Sequence, residues 1–235
     1  MITDEAIAPV AALFADPSRL AMLWALSDGR PRPAGELARH ARVSASTASE
    51  HLSRLLGSGL VVAERRGRHR YYRIGGPSVV AALEAMGALA VPATPTDYRH
   101  AAAAKAVRHA RSCYDHLAGA LGVQVTQALV ARRVLHLRDE QYEVSSEGAA
   151  FLADQLGADV DGARASRRQF AKACLDWTER EYHVAGALGA ELLCRFLTLE
   201  WLERTNGGRA LRVTAPGRRG FQSTLGVDPL AARYE

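Results

Sequence analysis

Apolar residues in the first ninety positions recur with the three- to four-residue spacing of amphipathic helices and then switch to the alternation of strands. Asp16-Pro-Ser opens a helix, with Ser18 as its expected cap and Leu20, Leu23, Trp24 and Leu26 on its buried side. Gly29 and Pro31 end it. A short helix is expected over 33–41. Another runs from Ser44 to Gly57 with Val43, Ala48, Leu52, Leu55 and Leu56 as its apolar stripe, leaving Ser46, Thr47, Ser49, Glu50 and Arg54 mostly outside. Two β-prone runs broken at Gly67 predict a hairpin over 60–74. A closing helix follows over 79–90. Its window is the most apolar of the chain, yet Glu84 interrupts it and it falls short of the roughly 20 residues that span a bilayer.

Beyond this region the chain resembles itself. Val91-Pro-Ala-Thr-Pro-Thr-Asp97 has two prolines and predicts a linker. His116-Leu-Ala-Gly-Ala-Leu-Gly122 then matches His183-Val-Ala-Gly-Ala-Leu-Gly189 at an offset of 67 residues. Gly148 with Leu156-Gly157 matches Gly217 with Leu225-Gly226 at 69, and the two extra residues fall at the turn signal Asn206-Gly-Gly. Each half reads as helix, helix, hairpin, helix, with Tyr142-Glu-Val-Ser145 and Leu211-Arg-Val-Thr214 closing the hairpins before capped helices. The expected domains are thus 1–90, a linker at 91–97, and 98–235 built of repeats at about 98–162 and 163–235. A contact between two such halves is the default place for a ligand pocket.

The 235 residues are 48% hydrophobic, 23% charged and 6% aromatic, which argues against disorder and against a disulfide scaffold. Three widely spaced cysteines, Cys113, Cys174 and Cys194, fit a reducing cytoplasm, with Cys194 expected in the core beside Phe196 and Leu197. The acids at the start of the chain lie where a secretory signal would be basic, so export is not expected, and neither is a membrane role. An enzyme is not expected either. There is no phosphate-cradling glycine loop, nucleophile elbow or HExxH helix, and Asp115, His116 and Asp176 offer an acid/base set with no nucleophile beside it.

Thirty basic against twenty-five acidic residues leave a net charge of +5, which by itself only permits a polyanionic partner. Its placement says more: five arginines and no acid lie between Glu64 and the end of the hairpin at Ile74. A helix, a tight turn, a second helix with a small polar face and then a basic hairpin is the order of a winged helix-turn-helix, whose second helix enters the major groove while the wing reaches flanking backbone or minor groove. Ser44, Ser46, Thr47, Ser49 and His51 are the candidates for base edges or nearby phosphates. Arg54, Arg65, Arg66, Arg68, His69, Arg70 and Tyr71 are the candidates for the backbone of double-stranded DNA. The fold class expected is mainly α with small β-hairpin wings, a winged helix-turn-helix followed by two helix-helix-hairpin-helix, winged-helix-like repeats.

Ala15-Asp-Pro-Ser-Arg-Leu-Ala-Met-Leu23, Leu37-Ala38, Val43-Ser-Ala-Ser-Thr-Ala-Ser-Glu-His-Leu-Ser-Arg-Leu55 and Gly59-Leu-Val61 with Arg65-Arg-Gly-Arg-His-Arg-Tyr-Tyr-Arg73 resemble, in order and spacing, the ArsR/SmtB family of bacterial repressors. The resemblance covers the first ninety residues. It implies a homodimer joined through the terminal helices of this domain, an inverted-repeat operator and release by an inducer. The sequence departs from the metal-sensing members. Glu36-Leu-Ala-Arg-His-Ala-Arg-Val43 lacks their cysteine pair, and 79–90 offers only Glu84 where a closing-helix site would need a set of ligands.

Any effector chemistry is therefore expected in the second half. His109, Cys113 and His116 fall at i, i+4 and i+7 of what reads as a helix, and with Cys174 and His183 they could hold zinc or another soft metal or metalloid. The halves align His116 with His183 but not the cysteines, so a symmetric site is not evident. The same residues could instead pack in a core or join a helix junction, or Cys113 could be a reactive thiol activated by Arg111 or His109. The functional reading is a dimeric repressor with a small-molecule or metal effector. The alternative is a metal- or thiol-handling protein whose helix-turn-helix contacts protein.

Overall fold

The structure, a computed structural model, describes residues 3–90, 98–205 and 208–231, so the expected linker at 91–97 and most of the Asn206-Gly-Gly turn lie outside the described residues. The chain divides into two compact units, Met1–Ala85 and Met86–Glu235.

The first unit contains α1 (Asp4–Ala15), α2 (Pro17–Leu26), β1 (Arg32–Pro33), α3 (Ala34–Ala41), α4 (Ala45–Gly57), β2 (Val61–Arg66), β3 (His69–Ile74) and most of α5 (Pro77–Leu89). The cap of α2 is Asp16, not Ser18. Pro17 has no N–H to satisfy and a φ suited to the first helical position, so the residue before it becomes the cap, and Asp16 accepts from the Arg19 N–H at 2.9 Å. Leu20 is exposed and Trp24 only half-buried, and the buried side of α2 is instead Met22, Leu23, Ala25 and Leu26. This side packs on α3, α4 and β3. α3 ends at Arg42 in a left-handed conformation, φ 55°, and two residues later the Ser44 hydroxyl accepts from the Thr47 N–H at 3.1 Å to start α4. The strands form one antiparallel sheet in the order β1-β3-β2.

The second unit contains α6 (Tyr98–His109), β4 (Arg111–Cys113), β5 (His116–Ala118), α7 (Ala120–Ala131), β6 (Leu135–Arg138), β7 (Gln141–Val144), α8 (Ser146–Leu156), α9 (Val160–Ala165), β8 (Lys172–Leu175), β9 (Tyr182–Ala185), α10 (Gly186–Thr198), β10 (Leu202–Arg204), β11 (Leu211–Val213), α11 (Ala215–Gly220) and a π-helical turn, Phe221–Leu225. The helix expected through Cys113 and His116 is a hairpin, and so is the stretch from Cys174 to His183. Each half therefore runs hairpin, helix, hairpin, helix, and the expected helix-helix-hairpin-helix order is corrected accordingly. A three-residue spacing suits one face of a helix but also the opposed positions on either side of a two-residue hairpin turn, and here Tyr114 and Asp115 make that turn, Tyr114 at φ 59°.

The matched glycines are matched in role. Gly119 and Gly186 sit at φ 79° and 77° between strand and helix, where a Cβ would come within 2.6 Å of the Arg108 carbonyl oxygen and 2.5 Å of that of Gln169. One turn on, Gly122 and Gly189 let α7 and α10 lie against the carbonyls of Leu117 and Val184 in the strands that precede them. Ser145 and Thr214 cap α8 and α11 by accepting from Gly148 and Gly217 N–H, each at 2.9 Å. The four-stranded sheet β6-β7-β8-β9 joins the halves through the pairing of Gln141 with Lys172. Leu121, Leu129, Leu152, Leu188, Leu193 and a cluster of Phe196, Trp201 and Phe221 fill the core around it. Cys194, expected there, is exposed, because Leu192, Leu193 and Phe196 already turn the inner face of α10 inward. Among the described residues no single helix is long and apolar enough to cross a membrane.

Gly119→Ala and Gly186→Ala each force a side chain into a left-handed conformation against a backbone oxygen, and each is expected to cost about 1–3 kcal/mol, read as a fall in thermal midpoint of the full chain. An unchanged midpoint in both variants would contradict the close approach.

Candidate DNA-binding face and candidate metal centre

The burial of Ala48, Leu52 and Leu55 fixes which side of α4 faces outward. Ser44, Ser46, Ser49 and Arg54 are exposed, Thr47 is half-buried, and Arg54 is held by Glu50 at 2.7 Å. His51 is directed back at α2, its Nε2 3.8 Å from an Asp16 oxygen and its Nδ1 3.5 Å from an Arg19 guanidinium nitrogen. In the wing, Arg65 stands opposite Arg70 and Arg66 opposite His69. All four are exposed, as is Arg68 at the tip, while Tyr71 is half-buried. Arg66 pairs with Glu64 at 2.6 Å and lies 5.7 Å over the Tyr71 ring, and Arg70 lies 5.4 Å over Tyr72.

In the second unit the structure brings together four of the five residues singled out for metal: Cys113, His116, Cys174 and His183, with ligand atoms all within 4.8 Å of one another. His109 is not among them, because it ends α6 and the chain turns into β4 before Cys113. Cys113 is directly opposite His116 in one hairpin, and Cys174 directly opposite His183 in the other. Opposed residues of an antiparallel pair share a face of the ribbon, so each hairpin presents one sulfur and one imidazole together. The cysteines do correspond between the halves, contrary to the expectation from sequence. Their offset is 61 residues and that of the histidines 67, the difference being one extra strand pair, Leu175 with Tyr182, and a loop at 176–181 that is four residues longer than the turn of the first hairpin.

The His116 and His183 Nε2 atoms face each other at 3.2 Å. Their Nδ1 atoms, both buried, lie 3.6 Å from Asp115 and 3.7 Å from Asp176 respectively. Asp115 is held by Arg168 at 2.6 Å. Asp176 is fully buried and held well below the usual carboxylate range despite its burial: Arg111, equally buried, donates to it at 2.9 Å, and it also accepts from the N–H groups of Gly119, Thr178 and Glu179 and from the Thr178 hydroxyl. Arg111 is thus committed to Asp176, with Trp177 5.0 Å away under its guanidinium, and does not activate Cys113. The hydrogen bond with Cys174 and burial push the Cys113 thiol up to about 12, and burial lowers His183. A thiol so placed is neutral at ordinary pH unless a cation displaces its proton. Sequence reasoning missed the pairing of Arg111 with Asp176, and the signal available was only that both are charged residues in apolar surroundings.

A helix-turn-helix domain family model matches residues 14–63. An HTH-type transcriptional regulator of Bacillus subtilis, YdfF, itself uncharacterised, is 43% identical over 221 residues, 94% of this chain and 97% of the relative. The HTH-type transcriptional regulator CmtR of Mycobacterium bovis is 41% identical over 80 residues, 34% of this chain and 67% of CmtR. Among solved structures, the homodimeric winged helix-turn-helix DNA-binding domain of a possible ArsR-family regulator from Mycobacterium bovis is 32% identical, covers 35% of this chain and 76% of that one, and has a TM-score of 0.33. The chain belongs to the HTH-type transcriptional regulators. It is a DNA-binding regulator whose first unit is a helix-turn-helix followed by a β-hairpin wing.

Asp176→Asn leaves Arg111 buried without its counter-charge and is expected to destabilise the fold by about 3–5 kcal/mol in urea denaturation. Combined with Arg111→Met, it should cost clearly less than the sum of the single changes. Additive losses would show that the two side chains do not act as a pair.

Proposed function

We propose that the protein is a dimeric repressor that binds an inverted-repeat operator through α4 and the wing and is released by an effector bound in its second unit. The observation that carries the DNA part is the wing register. Arg65 directly faces Arg70, an arrangement that repels within the hairpin and is relieved by phosphate on the face that the two share. The exposed Ser46, Ser49 and Arg54 of α4 supply the small polar face that a major groove admits, and His51, engaged with Asp16 and Arg19, sets the orientation of α4 on α2.

Dimerisation is supported by α1, which carries Ile7, Val10, Leu13 and Phe14 yet has no buried residue, and by α5, on which Leu89 is 85% exposed. The division of labour follows the domains 1–90 and 98–235 with a linker at 91–97, the second domain being two copies of one segment. It has its own core and a buried set of cysteines and histidines that DNA recognition does not use.

Selection of genomic fragments by the full chain is expected to yield an inverted repeat. Arg65→Ala with Arg70→Ala should weaken binding to all duplexes and flatten the slope of log affinity against log salt by about 0.9 for each phosphate that is no longer neutralised. Equal affinity and slope in the variant would remove the wing from the interface. Ile7→Glu with Val10→Glu is expected to give a monomer in sedimentation equilibrium that binds the repeat more weakly, and a variant that stays dimeric would exclude α1 from the dimer interface.

A further inference from the structure

We propose that Cys113, His116, Cys174 and His183 hold one divalent d10 cation of the zinc class in a tetrahedral site that ties the two hairpins of the second unit together. Its role as the effector rests on the repressor reading above; its existence as a site does not.

The geometry is the first support. A tetrahedron of nitrogens at the usual zinc distance has an edge of about 3.3–3.4 Å, and the two Nε2 atoms are 3.2 Å apart. Both sulfurs lie within 4.8 Å of these nitrogens and of each other. The orientation of the rings is the second. Each Nδ1 lies beside a carboxylate, 3.6 Å from Asp115 or 3.7 Å from Asp176, whose charge favours the proton on that nitrogen and leaves the facing Nε2 of each ring as the ligating atom. Two lone pairs so close repel each other in a buried site unless one ring is protonated there or a Lewis acid lies between them.

Charge is the third support. Arg111 neutralises Asp176 and Arg168 neutralises Asp115, so the two carboxylates beside the histidines add no net charge. A divalent cation with two thiolates, whose protons pass to solvent, is likewise neutral and suits a buried position. Two sulfurs and two imidazoles are the donors of a borderline-soft ion, whereas calcium and magnesium require oxygens. Cys174, the one partly exposed member, gives the ion a way in.

The reduced full-length protein, freed of metal, is to be titrated with Co(II) and then Zn(II). One Co(II) per chain is expected, with the intense visible bands of tetrahedral geometry and thiolate charge-transfer absorption, both disappearing on addition of Zn(II). Cys113→Ser and His183→Gln should abolish the tetrahedral spectrum. Asp115→Asn, outside the ligand set, should weaken Zn(II) binding about 10–100-fold. Cys174→Ser, altered at the partly exposed edge, keeps the test open if the buried variants fail to fold. A weak octahedral spectrum, no uptake by the fully reduced protein, or spectra unchanged by Cys174→Ser would overturn the proposal. Operator affinity measured with and without Zn(II) separates the two readings. Tetrahedral binding with unchanged operator affinity overturns the effector role while upholding the site, and operator binding by a protein that takes up no metal overturns the site while upholding the repressor.

Discussion

The second unit is organised around a single buried charge. Asp176 has no contact with solvent, and its two oxygens accept from a guanidinium, three backbone N–H groups and a hydroxyl. Burying a carboxylate so completely is tolerable only when this whole set of donors is present. The donors come from β4, from the start of α7 and from the loop after β8, and those segments have to arrive together for any of them to be satisfied. With this done, His183 and through it the four-residue cluster have fixed positions. The Arg111–Asp176 pair selects an arrangement more than it adds stability, because its Coulomb attraction is largely offset by desolvation.

The two units use arginine in opposite ways. In the wing, guanidinium groups stand in water, opposite one another or over tyrosine rings, and their field extends to whatever anion approaches. In the second unit Arg111 is sealed and its field is confined to one carboxylate. A modest net charge of +5 conceals this contrast, which shows only when each cation is placed.

Local signals in the sequence were the legible ones. The helix start at Ser44, the stripe of α4, the hairpin around Gly67 and the capped helices after Ser145 and Thr214 depend on residues within a few positions of one another, and all are found. The Gly-Ala-Leu-Gly repeats were visible as repeats, and the structure adds the reason: a left-handed turn followed by a helix pressed against its own strand. Non-local pairing was not legible. A spacing of three between Cys113 and His116 satisfies helix and hairpin alike, and the choice is made by Arg111, whose partner is 65 residues away. For the same reason the helical spacing that groups His109 with Cys113 and His116 does not survive folding, since the chain leaves α6 at His109 and enters β4. The correspondence of Cys113 with Cys174 was hidden by a change of offset within one hairpin, since a register defined by opposed residues is indifferent to the length of the loop that closes it.

That loop has a further meaning. The first hairpin turns in two residues, Tyr114 and Asp115; the second takes the six residues 176–181 between its strands, and among them are Asp176, Trp177, Thr178 and Glu179. The added residues are the ones that enclose Arg111 of the first half. One half supplies the buried cation and the other its counter-charge and the hydroxyl beside it, so the halves are not interchangeable. Each half of this part of the chain therefore requires the other to balance its own buried charge.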